Sequence, residues 1–163
     1  SATGPTAPLD GTDMVQYGYY DSPFGLIKIG VEDGSVLSVR RCDIPEAAPS
    51  PTPLSDQAAT QLAEYFSGQR TAFDLPLDPR GTPFQCSVWN KLLTIPYGEM
   101  RSYQDIAIAI GNPKAVRAVG MACNRNPIWI LIPCHRVVGA NRKLTGYAGG
   151  LDMKQRLLEL EKA

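Results

Sequence analysis

Residues 102–116 read SYQDIAIAIGNPKAV, and this stretch decides the fold of the C-terminal half of the chain. Ser102 stands three residues before a carboxylate, a spacing typical of a capping box at a helix N-terminus. Apolar residues then recur at i, i+3, i+4 and i+7, which predicts a helix over 102–110. The next residues suit a left-handed helix end at Gly111 and a second helix that is capped by Asn112. Two short helices joined by a tight turn are therefore predicted.

The second of these helices has two different sides when successive residues are turned by 100°. One side is apolar and is predicted to face the core; it consists of Ala115, Val116, Val119, Ala122 and Cys123. The other side is cationic and includes a small residue; it consists of Lys114, Arg117, Ala118, Met121, Asn124 and Arg125. Ala118 and the neighbouring Gly120 let the backbone approach a partner closely. A solvated face is the alternative, but the pattern favours contact with a nucleic-acid backbone.

Charge is distributed unevenly along the chain, although the formal net charge is +0. Residues 1–96 carry 6 Lys and Arg against 11 Asp and Glu, a net −5, whereas residues 97–163 carry 10 against 5, a net +5. Bulk charge therefore does not favour nonspecific binding of polyanions. The basic half is nevertheless expected to meet an anionic partner, and the acidic half is not.

The N-terminal half predicts a small antiparallel sheet followed by a helix. Turn residues separate three β-type runs, which cover residues 17–20, 26–31 and 36–41. An Asp-Gly pair lies between the last two runs and indicates a hairpin. Apolar residues at helical spacing predict a helix over 55–67, with Ser55 as its N-cap.

The length of 163 residues and the 44% share of hydrophobic residues permit one ordinary domain or two small ones. The Pro-, Asp- and Gly-rich segment 73–83 is the expected connector between an N-terminal domain, residues 14–78, and a C-terminal domain, residues 79–163. The C-terminal domain is predicted to open with a helix over 83–93. The predicted fold class is α/β, of the α+β kind.

Four widely spaced cysteines and a single histidine do not match the usual structural zinc spacings, so no metal site is predicted. Two disulfides in a secreted protein are the alternative. Because no signal peptide is apparent, reduced thiols and an intracellular, cytoplasmic location are expected, at the nucleoid in a bacterium. No apolar run of about 18 residues indicates a membrane span. Residues 1–13 are expected to be a disordered leader.

The only histidine of the chain, His135, directly follows Cys134 at the end of an apolar run, residues 128–132. That run has the length of a buried strand, and Pro133 breaks it before the thiol. A lone cysteine is usually a small core residue, but a nearby imidazole can take the proton of a thiol and make it a nucleophile. Since adjacent residues of an extended segment point to opposite sides, the imidazole reaches the thiol only through a turn or a bridging water.

An imidazole that acts as a base usually has a third group that orients it. The last helix, predicted over residues 152–162, offers Glu161, whose helical angle lies between those of Leu157 and Leu158. Because a buried carboxylate is costly, its place on an apolar arc indicates a function. Lys154 shares that arc, and a solvated helix end is the alternative that the pattern leaves open.

Residues 81–161 contain a series of short motifs, whose order and spacing along the chain are together distinctive. They are Gly81-Thr82-Pro83-Phe84, Pro96-Tyr97-Gly98-Glu99, Arg101-Ser102-Tyr103, the run GNPKAVRAVG at 111–120, Asn126-Pro127, Pro133-Cys134-His135-Arg136-Val137, and Thr145-Gly146-Tyr147-Ala148-Gly149-Gly150. This set resembles the O6-alkylguanine-DNA alkyltransferases, also called methylated-DNA–protein-cysteine methyltransferases. The resemblance implies a ribonuclease-H-like N-terminal domain with a three-stranded antiparallel sheet and a helix. It also implies a mostly helical C-terminal domain that is similar to a winged helix–turn–helix.

The resemblance implies direct, stoichiometric DNA repair without a cofactor. Cys134 would accept the alkyl group of O6-alkylguanine, and of O4-alkylthymine, and the thioether formed would inactivate the protein. On this interpretation the thiol is ionised at rest and is activated through a water by His135. Glu161 would hold the histidine, and Asn126 would brace the active-site turn.

The resemblance also implies how the damaged base is reached. A monomer would insert its helix–turn–helix into the minor groove of double-stranded DNA. Tyr103 would crowd a phosphate, and Arg117 would fill the gap left by the flipped nucleotide. Further DNA contacts are expected at Ser102, Gln104, Lys114 and Ala118. The guanine pocket is expected to be lined by Tyr147, Val137, Ala148, Gly149 and Trp129.

Three positions depart from the usual family pattern, namely Met121, Cys123 and Trp129. The bulky Trp129 is expected to narrow the range of alkyl groups that the pocket accepts. Three rival functions are a lesion-binding module without chemistry, a thiol hydrolase or protease, and a helix–turn–helix transcription factor. The presence of Cys134 disfavours the first, the second requires repeated turnover, and no second DNA-binding domain supports the third.

Overall fold

The computed structural model describes residues 14–162. The described residues form two compact units, and the chain passes from the first to the second between Asp78 and Pro79. The predicted leader, residues 1–13, lies outside the described part of the chain. Each unit has its own set of buried side chains.

The first unit is a three-stranded antiparallel sheet with one helix packed on it. The sheet has the order β1 (Gln16–Ser22), β2 (Gly25–Glu32) and β3 (Ser35–Cys42), and the helix is α1 (Pro53–Phe66). Asp33 and Gly34 both have positive φ, 51° and 75°, as a two-residue hairpin turn of type I′ requires. The predicted hairpin and the mixed α/β class are confirmed.

Helix α1 begins earlier than the sequence pattern indicates. Its N-cap is Thr52, whose hydroxyl accepts a hydrogen bond from the backbone N–H of Ser55 at 3.0 Å. The Ser55 hydroxyl accepts in return from the backbone N–H of Thr52 at 2.8 Å. The prediction of Ser55 as the cap is therefore wrong, because Ser55 is the third residue of a reciprocal capping box and Pro53 occupies the first turn.

The second unit is mostly helical. Its regular elements are α2 (Pro83–Leu92), β4 (Arg101–Ser102), α3 (Tyr103–Ala109), α4 (Val116–Asn124), a 3-10 helix (Cys134–Arg136), β5 (Val137–Val138), a second 3-10 helix (Ala140–Arg142) and α5 (Leu151–Lys162). The short strands β4 and β5 pair in parallel. This pairing joins the start of the helix–turn–helix to the residues that directly follow the 3-10 helix of Cys134 and His135.

The helix–turn–helix forms as predicted in its first helix and differs in its second. The Ser102 hydroxyl caps α3 by accepting from the Asp105 N–H at 2.9 Å, and Gly111 follows with φ 80°. Helix α4, however, begins only at Val116. The prediction of Asn112 as its cap is wrong, because the Asn112 carbonyl accepts from the Ala115 N–H at 3.0 Å and closes a separate turn.

Trp89 is the largest of the fully buried side chains among the described residues and is 1% exposed. Its indole N–H donates a hydrogen bond of 2.8 Å to the carbonyl oxygen of Ala122, which joins α2 to the buried side of α4. Since α4 lacks a side-chain cap, contacts of this kind hold it in place. Within residues 14–162, no helix has the length and apolarity needed to cross a membrane.

We expect the substitution Trp89→Phe to lower the free energy of unfolding by about 1–3 kcal/mol, because it removes a buried hydrogen bond and part of a packed ring. Urea denaturation followed by circular dichroism measures this loss. Leu93→Ala, at the exposed residue that follows the same helix, is the control and should change the value by less than about 0.5 kcal/mol. Equal effects of the two substitutions would contradict the role assigned to Trp89.

Candidate active site

The apolar run before Cys134 forms a buried turn, so the predicted strand over 128–132 is wrong. Ile130 has φ 75°, and the Leu131 N–H donates to the Trp129 carbonyl at 2.8 Å. The Ile132 N–H reaches back to the carbonyl of residue 128 at 3.1 Å. A β-branched residue at positive φ is strained, and the apolar burial of the run holds this conformation. The turn reverses the chain and brings Cys134 back towards α4.

Asn126 stabilises this turn through both polar atoms of its side chain. Its Oδ1 accepts from the Ile128 N–H at 2.9 Å, while its Nδ2 donates to the Ile132 carbonyl at 2.9 Å. The same Nδ2 lies 3.2 Å from the sulfur of Cys134 and donates to it. Asn126 therefore fixes the turn and supplies a hydrogen-bond donor to the thiol.

Cys134, His135 and Arg136 form one turn of 3-10 helix. Three residues per turn direct the three side chains about 120° apart, so the thiol and the imidazole do not point to opposite sides as they would in an extended segment. All three are buried, with 2%, 0% and 7% of their surface exposed. The predicted turn between the thiol and the imidazole is thus present.

One ring nitrogen of His135 is engaged in a hydrogen bond, and the other is left as a possible acceptor. The ring Nε2 lies 2.7 Å from Oε2 of Glu161, which is itself buried at the end of α5. A carboxylate accepts only, so the proton of the neutral ring lies on Nε2 and Nδ1 is left as an acceptor. Within residues 14–162, this buried Nδ1 has no hydrogen-bond partner. The solvated helix end considered as an alternative for Glu161 does not occur.

The Cys134 thiol is neutral at rest. Burial raises its pKa to about 11, although the Asn126 hydrogen bond and the charge of Lys154 act in the opposite direction. Burial therefore acts against the expectation of a thiol ionised at rest, because desolvation outweighs these favourable groups. The pKa of His135 is lowered by its own burial, against the influence of Glu161, so the ring is neutral and competent to accept a proton.

Two buried cations at the site were not predicted as functional residues. Lys154 donates from Nζ to the carbonyls of Thr145 and Gly146 at 2.8 and 3.1 Å, and it lies 3.4 Å from the Tyr103 hydroxyl. Arg136 pairs with Glu161. The position of Lys154 on the apolar arc of α5 is the signal for the first of these, whereas Arg136 lies in the motif at 133–137, which does not indicate its partner.

Some of the residues that are expected to line a base pocket lie close to one another. The rings of Trp129 and Tyr147 lie 6.1 Å apart between centroids. Gly149 fits between them, since a Cβ there would approach Tyr147 to 2.9 Å and Trp129 to 3.2 Å. Val137 is buried in β5, next to the 3-10 helix, and Ala148 is exposed beside Tyr147.

The residues expected to touch DNA lie on α3, on α4 and in the turn between them. Lys114, Arg117 and Ala118 are exposed, as are Met121, Asn124 and Arg125. Gln104 is exposed and donates to the Pro113 carbonyl at 3.1 Å, and the Ser102 hydroxyl caps α3. The Tyr103 hydroxyl donates to the Thr145 carbonyl at 3.1 Å. The predicted division of α4 into a buried and an exposed side is confirmed.

Comparison with known proteins extends these observations to both units. A model of the 6-O-methylguanine DNA methyltransferase DNA-binding domain matches residues 83–163, and a model of the ribonuclease-like domain of that methyltransferase matches residues 15–79. The methylated-DNA–protein-cysteine methyltransferase of Methanosarcina acetivorans is 49% identical over 151 residues, which cover 89% of this chain and 97% of that relative. The protein of the same name from Mycobacterium bovis is 51% identical over 156 residues, 92% of this chain and 94% of the relative.

Solved structures agree with these sequence relatives. The Mycobacterium tuberculosis OGT, solved in complex with DNA, superposes with a TM-score of 0.84 at 49% identity over 91% of this chain and 93% of that one. An O6-methylguanine DNA methyltransferase from Methanococcus jannaschii gives a TM-score of 0.65 at 29% identity over 91% and 93% of the two chains. The chain belongs to the 6-O-methylguanine DNA methyltransferase family.

Proposed function

We propose that the protein repairs DNA by moving the alkyl group of O6-alkylguanine, and of O4-alkylthymine, onto its own Cys134. The observation that carries the proposal is the arrangement around the sulfur. A buried thiol receives a hydrogen bond from Asn126 and directly precedes His135, whose Nδ1 is open and whose Nε2 is held by Glu161. Such a constellation deprotonates a thiol without needing it to be ionised beforehand.

The chemistry follows from the protonation states. Because the thiol is neutral at rest, its proton leaves towards Nδ1 of His135, through one water, as the sulfur attacks the alkyl carbon. The bond between that carbon and O6 breaks, its electron pair stays on the base, and the proton finally restores the N–H of guanine. The carbon–sulfur bond of the product is a thioether, which water does not cleave. Each molecule therefore acts once.

The protein acts on DNA as a monomer through the minor groove. The exposed side of α4 suits this groove, because it combines cationic side chains with the small residue Ala118. Lys114 contacts the DNA backbone, together with Ser102 and Gln104 at the start of α3. Arg117 occupies the space of the flipped nucleotide, and Tyr103 crowds the adjacent phosphate.

The flipped base enters a pocket next to the active-site turn. Tyr147, Val137, Ala148 and Gly149 contact the guanine, while Trp129 limits the space for the alkyl group. The contact between the Trp129 and Tyr147 rings supports this assignment. All of these groups belong to residues 79–163, which we assign as the DNA-binding and catalytic domain, with residues 14–78 as a separate N-terminal domain.

We expect a gain of a single methyl group by the intact protein after incubation with an oligonucleotide that contains O6-methylguanine. Intact-protein mass spectrometry followed by peptide mapping measures the gain and its position at Cys134. Cys134→Ser should gain nothing, and Cys86→Ser, a half-exposed thiol of the same domain, should behave as the unsubstituted protein. Release of more than one guanine per molecule would instead indicate a hydrolase.

Arg117→Ala should slow transfer from duplex DNA by about tenfold or more, because the flipped state loses its filler and unstacking a base costs a few kcal/mol. Single-turnover quench experiments measure the rate on duplex DNA and on the free modified base. The free base requires no flipping, so its rate should not change. Arg156→Ala, an exposed arginine on α5, is the matched control. A loss of equal size on both substrates would rule out a role in flipping.

Trp129→Ala should raise the rate for O6-benzylguanine relative to O6-methylguanine by about tenfold, since the larger pocket accepts the ring. Competition between the two modified oligonucleotides gives the ratio directly. Trp89→Phe alters an aromatic residue in the core and should leave the ratio unchanged. Equal rates for both substrates in the unsubstituted protein would remove the proposed restriction.

A further inference from the structure

The buried carboxylate of Glu161 accepts hydrogen bonds from three residues, two in the 3-10 helix and one in the turn after α2. Arg136 donates to it twice, from Nε to Oε1 at 2.8 Å and from a terminal nitrogen to Oε2 at 3.0 Å. His135 donates to Oε2, and the Gly98 N–H lies 3.2 Å from Oε1. A carboxylate held in this way has a fixed orientation as well as a compensated charge.

Arg136 also contacts the chain between α2 and β4. Its remaining terminal nitrogen donates to the Ile95 carbonyl at 2.7 Å, directly before the Pro96-Tyr97-Gly98 motif. Gly98 has φ 82°, and a Cβ there would lie 3.3 Å from the Glu161 carbonyl oxygen. The motif thus forms a close-fitting turn against the end of α5, and the guanidinium spans from this turn to Glu161.

We propose that Arg136 is a positioning residue for alkyl transfer, which holds the Glu161 carboxylate and keeps Nδ1 of His135 open as the proton acceptor. This inference rests on the proposed function of Cys134. Arg136 does not touch the sulfur or the base in this role. It acts through the ion pair, whose hydrogen bonds to both carboxylate oxygens are made within a buried environment.

The charges around the imidazole explain why this pair matters. Cys134 and Arg136 flank His135 on the 3-10 helix, and Glu161 and Lys154 face it from α5. With Arg136 present, the positive charge of its guanidinium compensates the negative charge of the Glu161 carboxylate. Without it, the Glu161 carboxylate loses the charge that compensates it, because Lys154 is held by the carbonyls of Thr145 and Gly146. The His135–Glu161 pair then takes up a proton at a higher pH.

Either location of that extra proton removes the base. If it binds the imidazole, Nδ1 carries it directly. If it binds Glu161, the carboxyl group donates to Nε2 of His135, and the neutral ring must then carry its own proton on Nδ1. Since the reaction needs a free Nδ1, the rate falls as pH falls through the pKa of the pair. Loss of Arg136 therefore moves this acid limb to higher pH.

The test is the pH dependence of single-turnover methyl transfer between pH 5 and 9, read by mass spectrometry of the protein. Arg136→Gln should raise the midpoint of the acid limb by about one unit or more, the size of shift that one close charge produces. Arg136→Lys keeps the charge, so its midpoint should stay in place. Its plateau rate should nevertheless fall at least about threefold, because an ammonium cannot hold both oxygens.

The double variant Arg136→Gln with Glu161→Gln tests the charge argument. It buries neither charge, so its acid limb should return towards that of the unsubstituted protein, although the plateau stays low. A purely structural role of Arg136 predicts lower plateau rates with no shift in any variant, and this result would overturn the proposal. Thermal unfolding at each pH separates loss of fold from loss of rate.

Two further results keep the test decisive. If Arg136→Gln does not fold, Arg136→Lys decides by itself, since a rate equal to that of the unsubstituted protein at every pH contradicts a positioning role. If the unsubstituted protein takes up no methyl group on Cys134, the proposed function fails instead. The two failures are therefore distinguishable.

Discussion

The buried ion pair between Arg136 and Glu161 is the interaction on which the site depends. It joins the turn after α2, the 3-10 helix that carries the thiol and the end of α5, which are far apart in the sequence. Replacing such a pair by apolar residues often leaves a protein equally stable, so stability alone does not explain it. The ion pair orients the Glu161 carboxylate, and this carboxylate in turn fixes the tautomer of His135.

A second buried cation organises the other side of the site. Lys154 binds the carbonyls of Thr145 and Gly146 and lies close to the Tyr103 hydroxyl, so α5 holds the loop that precedes the proposed base pocket. Burial lowers the pKa of Lys154, and the nearby thiols act in the opposite direction. Helix α5 thus contributes one charge of each sign to the site, although its sequence is mostly that of a surface helix.

Much of this arrangement was readable from local patterns. The Asp-Gly hairpin, the capping box at Ser102 and the two sides of α4 follow from turn chemistry and helical spacing, which are local effects. Glu161 was identified because it breaks an apolar arc. Arg136 lies in the motif at 133–137, but its role is not predicted, because no local pattern indicates its partner Glu161, 25 positions away.

Long-range contacts override local preference at several positions. Residues 128–132 have the composition of a strand, but the three hydrogen bonds of Asn126 and the apolar surroundings impose a turn with Ile130 at positive φ. The start of α4 moved because the Asn112 carbonyl is used by a separate turn. The protonation state of Cys134 depends on solvent exclusion around the folded site, which no sequence pattern reports.

The enclosure of the Cys134 sulfur has a consequence for a molecule that can react only once. Oxidants and soluble electrophiles attack thiolates that are open to solvent, whereas a protonated and covered thiol is a poor target for peroxides. With 2% of its surface exposed, Cys134 is shielded from oxidants until a modified base enters the site. Enclosure therefore conserves the protein for damaged DNA, and the finite supply of molecules in a cell sets how many lesions it can remove.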